Sequence, residues 1–201
     1  MHQLVGKQSL QTVQDIVQGQ YPELKVKLIQ TDQLESNQAN ISAFYNPELD
    51  EDDLVCITVE LIFSNKDTHI VWCPEVVDFF VQKLSATIKH EKLHQSQHRA
   101  RNFEDAPTGY DNRNMEYEYM SRPDEIEAYA MNIADELVRK SDKETAKTLL
   151  RMASKTAVYK DEQGNLFSPD LFAYMSMWDF DSRRPVIKRL LKKTWEYIHE
   201  H

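Results

Sequence analysis

Between Pro74 and Arg99 the apolar residues Val76, Val77, Phe80, Leu84 and Ile88 recur at helical spacing. Asp78, Gln82, Ser85, Lys89, Lys92, Ser96 and Arg99 fall on the opposite side. A helix this long, opened by a proline at its favoured first position, needs a partner layer along one whole face. That demand organises the rest of the chain. The same projection puts Glu91 inside the apolar arc, His94 at its edge and His90 just beyond. A carboxylate among aliphatic side chains is costly unless something satisfies it. One resolution pairs Glu91 with a basic neighbour and leaves both histidines as ordinary boundary residues.

The other resolution is a metal. His90-Glu91-Lys92-Leu93-His94 reads H-E-x-x-H. Two histidines four apart on a helix stand almost one above the other, so both imidazoles reach one ion. Glu91 follows His90 by about 100° of rotation, which lets its carboxylate lie beside the ion and hold a water. This is the arrangement of zinc hydrolases. Lys92 puts a charge between the glutamate and the second histidine, but in projection it points to the polar face.

A catalytic zinc commonly takes three protein ligands and keeps one position open. The downstream candidates are His98, Glu125 and Glu127. His98 keeps the face of His90 but stands two turns along, too far for all three histidines to meet one ion without breaking the helix. It lines the cleft or is exposed. Projecting Asp124 to Lys140 gives an apolar band of Ile126, Ala130, Ile133, Ala134 and Leu137, continued by Val138 and Met131. Glu127 falls inside this band. Glu125 falls with Asn132, Glu136 and Arg139 on the polar side. Glu127 is therefore the expected third ligand, and a salt bridge to a buried arginine is the structural alternative for it.

Elsewhere the pattern is mixed. Ser9 to Gln18 has helical spacing and Lys25 to Ile29 alternates as a strand. Gln33 to Asn40 is turn-like, and Ile41 to Tyr45 reads as a second strand. The acidic run Glu48 to Asp53 reads as a solvated loop, without the spaced ligands and glycine of a calcium loop. Leu54 to Phe63 and His69 to Cys73, joined by Ser64-Asn65-Lys66-Asp67, read as a hairpin. Arg99 to Met120 has no helical period, and its length suggests a functional loop. Its Tyr110, Tyr117 and Tyr119 are candidate cleft residues, any of which would supply an oxyanion donor, or simple packing. Ser121 begins a helix running to about Lys140 with a capping-box pattern. Further helices run from Ser141 to about Thr156, from Ser168, and from about Pro185.

Composition narrows the function classes. A net charge of −9 on 201 residues argues against bulk attraction to nucleic acid or to anionic membrane. With four glycines there is neither a P-loop nor a dinucleotide fingerprint. Cys56 and Cys73 read as reduced core residues of a non-secreted chain. No run is long enough to span a bilayer and no leader pattern opens the chain, so a cytoplasmic location is expected.

The segment His90-Glu91-x-x-His94 followed downstream by Glu127-Ala128 resembles the gluzincin branch of the zinc metallopeptidases, and most of all the minigluzincin-like proteins. Ser121-Arg122-Pro123-Asp124-Glu125-Ile126-Glu127-Ala128-Tyr129-Ala130 is also similar to a segment of metallopeptidases of tailed bacteriophages. The resemblance covers roughly residues 54 to 140. It implies zinc on His90, His94 and Glu127, Glu91 as general base, and a peptide or protein substrate; the acidic balance, separately, leaves no nucleic-acid or membrane partner expected. The thermolysin-like acidic residue four positions after the glutamate ligand is here Met131, so no group that orients a ligand histidine is identified.

The expected fold is α+β and zincin-like, in one domain. A small antiparallel or mixed sheet within residues 1 to 75 packs on the H-E-x-x-H helix, metal-site helices span 75 to 140, and a helical extension covers 141 to 201. The expected function is zinc-dependent peptide hydrolysis. The alternative is a non-catalytic zincin-like virion, assembly or protein-binding protein, located in the host cytoplasm or the virion if the chain is phage-encoded.

Overall fold

In the computed structural model, which describes residues 2–200, a 3-10 turn at His2–Leu4 leads into strand β1 (Gly6–Ser9), helix α1 (Leu10–Gln20), and strands β2 (Lys25–Thr31) and β3 (Ala39–Tyr45). Helix α2 (Pro47–Glu51), strands β4 (Ile57–Ser64) and β5 (His69–Trp72), and helix α3 (Pro74–Ala100) follow. The remaining helices are α4 (Met115–Met120), α5 (Pro123–Lys140), α6 (Lys143–Thr156), α7 (Pro169–Met177) and α8 (Pro185–Glu200). The class is α+β, with the strands in the N-terminal part and a helical C-terminal half. The chain divides into two compact units, one running to Glu104 and one beginning at Asp105. The division falls inside the stretch read as an irregular loop, part of which is helix α4. No helix among the described residues is long and apolar enough to cross a membrane.

The first unit holds two small sheets. β4 is the centre of a three-stranded mixed sheet, parallel to β2 on one side and antiparallel to β3 on the other. Its residues Val59, Leu61 and Phe63 are fully buried, as a central strand requires. The expected hairpin does not form. β5 turns away from β4 and pairs antiparallel with β1, because both edges of β4 are already taken. The outer edge of β2 is closed by glutamines of α1. Gln18 Oε1 accepts from the Val26 amide at 3.0 Å, and Gln14 Nε2 donates to the Val26 carbonyl at 2.9 Å. Ser9 caps α1 by accepting from the Thr12 amide.

Helix α3 buries Val77, Phe80, Leu84 and Ile88 against this layer, while Val76, expected inside, is largely exposed. The acidic run is a correction of a different kind. Residues 47–51 form α2, and Asp50 is buried at 3% exposure. Its carboxylate accepts from Arg99 Nε (2.8 Å) and a terminal guanidinium nitrogen (2.6 Å), Gln95 Nε2 (2.6 Å), the Tyr45 hydroxyl (3.0 Å) and the Cys56 thiol (3.3 Å). Arg99 holds the Asp50 carboxyl well below the ordinary carboxylate range despite burial. Burial, seconded by the hydrogen bond to Asp50, pushes the Cys56 thiol up to about 11, so this cysteine stays protonated and unreactive. Cys73, expected in the core, is instead exposed and unlinked, because it stands at the N-cap of α3 beyond the end of β5.

The second unit is built around α5, which packs along α8 and against α6 and α7. The expected band of Ile126, Ala130, Ile133, Ala134 and Leu137 is buried there with Leu171, Tyr174, Met175, Trp178, Ile187 and Leu190. The small side chains Ala130 and Ala134 permit close approach. Asp142 and Ser168 cap α6 and α7. Ser121 does not cap α5, whose N-cap is Arg122 without a side-chain bond. Its hydroxyl instead accepts from the Asp111 amide and donates to the Glu118 carbonyl.

Candidate metal centre

The second and third turns from the C-terminal end of α3 carry the two histidines of the motif. Their rings lie 4.7 Å apart, centre to centre, and cross at 75°, which follows from the four-residue spacing on a continuous helix. His94 Nδ1 lies 3.0 Å from Gln97 Oε1. The tautomer that donates Nδ1–H to this oxygen leaves the lone pair on Nε2, the usual way a ligand imidazole is oriented. Gln97, on the same helix, is therefore placed to orient the His94 ring, a position for which the sequence offered no acidic candidate.

The ligand-capable atoms of His90, His94 and Glu125 lie within 4.8 Å of one another. Two imidazoles and a carboxylate form a zinc-type donor set, and the group can hold a metal ion. The carboxylate brought to the histidines is thus Glu125 and not the expected Glu127. Glu125 is buried at 4% exposure. Glu127 is directed to α8, where its Oε1 lies 3.4 Å from Lys193 Nζ and 3.3 Å from the Tyr197 hydroxyl. It makes the kind of ion pair held open as its structural alternative, with a lysine in place of an arginine.

The projection failed because α5 has two buried stripes. Alongside the apolar band runs a second one, Glu125, Ala128 and Asn132, all buried. The i, i+3, i+7 spacing with a fully buried alanine at its centre was the available signal, and it was read as a polar face because its flanking members are polar. Around Glu125 the environment is aromatic. Burial, and next the charge of Glu125, push the Tyr174 phenol upward, and Tyr174 packs edge-on against Tyr129 at 5.2 Å.

Glu91 is half-buried, and its Oε2 accepts the Tyr45 amide of β3 at 2.9 Å. Lys92 points away and pairs with Glu23 at 2.8 Å. His98 stands outside the His90–His94–Glu125 group. Its ring packs on Tyr45 and Phe103 at 5.8 and 6.3 Å.

The three tyrosines have other engagements. Tyr117 donates its hydroxyl to the Met177 carbonyl at 3.0 Å and carries Arg113 on its ring. Tyr110 carries Arg189 at 3.8 Å, and Tyr119 has Arg122 at 5.6 Å. Comparison of the chain with protein-family models, with characterised proteins and with solved structures finds no match.

Proposed function

We propose that the chain is a zinc-dependent hydrolase that cleaves peptide bonds, with zinc held by His90, His94 and Glu125 and Glu91 as the general base. One observation carries the reading: an H-E-x-x-H helix and a separate buried glutamate supply three ligand atoms to one small volume. Independent burial of a carboxylate beside two histidines without an ion has to be compensated in some other way. Zinc bound there supplies Lewis acidity toward a carbonyl oxygen and lowers the pKa of a coordinated water.

The chain's own residues do the rest. Gln97 fixes the His94 ring, and the Tyr45 amide fixes the Glu91 carboxylate through Oε2. In this reading Oε1 of Glu91 takes the proton from the attacking water and returns it to the leaving amine. β3 supports the assignment of a peptide substrate. It is an edge strand, antiparallel to its neighbour and packed along α3, the kind of element on which an extended chain docks by main-chain hydrogen bonds.

Glu91→Gln tests the general base. The glutamine carbonyl still accepts from the Tyr45 amide, so the variant is expected to retain one equivalent of zinc. Cleavage of a mixed peptide library, read by mass spectrometry, is expected to fall by roughly 10²–10⁴-fold. Cleavage equal to that of the parent overturns the role of Glu91.

A second reading, a non-catalytic metal-stabilised virion, assembly or protein-binding protein, is favoured by the bond between Glu91 and the Tyr45 amide. That bond gives Glu91 a structural duty that needs no catalysis. Bound zinc without cleavage anywhere in the library selects this second reading.

A further inference from the structure

We propose that Asp50 is a positioning residue for the metal centre, acting by fixing the rotation of α3 about its own axis. The inference rests on the assignment of His90 and His94 as ligands and extends it to a residue remote in sequence. Residues 90, 94 and 98 form one stripe on α3, and residues 91, 95 and 99 form the neighbouring stripe, turned by about 100°. The first stripe is histidine throughout. The second is Glu91, Gln95 and Arg99, and every one of its members is held by the short segment from Tyr45 to Asp50.

The bonds form a continuous clasp. Glu91 Oε2 takes the Tyr45 amide at 2.9 Å. Tyr45 passes its hydroxyl to Asp50 at 3.0 Å. Asp50 in turn takes Gln95 at 2.6 Å and two nitrogens of Arg99 at 2.8 and 2.6 Å. Asp50 is also anchored to the sheet side by the Cys56 thiol. Three successive turns of α3 are therefore tied to one point beside the sheet.

The lever arm gives the consequence. Side-chain tips stand about 5–6 Å from a helix axis, so a 10° rotation of α3 moves an imidazole nitrogen by roughly 1 Å, well outside the tolerance of a metal–nitrogen bond near 2 Å. The apolar face alone, Val77, Phe80, Leu84 and Ile88, ends before the ligand turns. Asp50 is the group that carries rotational control past Ile88 to His90 and His94.

The test uses the full chain with Co2+ as the probe, because its visible spectrum reports ligand geometry as well as occupancy. Asp50→Ala is compared with the parent and with Ser9→Ala, which removes the α1 cap in the same unit but touches no residue of the clasp. At a temperature where circular dichroism shows all three folded, Asp50→Ala is expected to raise the Co2+ dissociation constant at least tenfold. Its d–d band is expected to shift, while Ser9→Ala keeps the parent's affinity and band. Asp50→Asn, which still accepts a hydrogen bond, is expected to fall between the two and to replace Asp50→Ala if that variant does not fold. Parental affinity and band in the Asp50 variants overturn the positioning role alone. A parent chain that binds neither Co2+ nor Zn2+ overturns the metal-centre reading beneath it.

Discussion

Glu125→Ala should strip zinc from the chain, whereas Glu127→Ala should leave the metal in place. Glu125 is buried and contributes one of the three ligand atoms within 4.8 Å. Loss of an outer-shell partner of a zinc ligand already costs about 10- to 100-fold in affinity, so removal of a ligand is expected to cost at least about 100-fold. Glu127 lies a little over half a turn further on, and its side chain is 34% exposed beside Lys193 at 45%. An ion pair of that exposure contributes roughly 0–1 kcal/mol, and Glu127 is not a member of the His90–His94–Glu125 group. Competition against a chromophoric chelator measures both variants. Weakening by Glu127→Ala alone restores the assignment read from the sequence and removes Glu125, and equal weakening by the two contradicts the distinction drawn between them.

Trp178→Ala should be the most damaging single change in the helical unit, lowering stability by about 3–5 kcal/mol. The indole is fully buried, stacks on Tyr174 at 4.9 Å and meets the edge of Tyr117 at 5.6 Å. Its Nε1–H donates to Asp111 Oδ2 at 3.0 Å. Asp111 is held at about 2 by Arg113, with help from this indole. Truncation therefore opens a cavity and also takes a donor from a carboxylate whose side chain is only 16% exposed. Trp178→Phe keeps the stack and loses only the donor, so its cost is expected to be smaller. Urea unfolding followed by far-ultraviolet circular dichroism reads both, and a loss below about 1 kcal/mol for the alanine variant contradicts the packing described.

How far the sequence carried can be judged from particular residues. The pairing of His90 and His94 was legible because their relation is set by helix geometry within little more than a single turn, with no information from elsewhere in the chain. The band of α5 from Ile126 to Leu137 was legible for the same reason. Glu125 was not, because a projection assumes one buried face, and polar members at positions 125 and 132 disguise the second stripe of α5. Gln97 lies only three residues after His94, but a neutral amide on the same helix carries no signal that distinguishes it from a solvated side chain.

Long-range pairing explains the other failures. The hydrophobic run of β4 announces a buried strand without naming its neighbours, so proximity in sequence suggested β5 while the sheet supplied β2 and β3. An acidic run is normally solvated, and only the arrival of Arg99 and Gln95 from α3 makes a buried Asp50 tolerable. Nothing local to residues 48 to 53 contains that fact.

The most direct measurement is X-ray absorption at the zinc edge on the full chain loaded with one equivalent of zinc. The expected spectrum has imidazole scattering from two histidines and carboxylate or water oxygen, at about 2.0–2.2 Å, with no sulfur. Failure to retain zinc, scattering from a single imidazole, or a sulfur shell near about 2.3 Å would contradict a centre built from His90, His94 and Glu125.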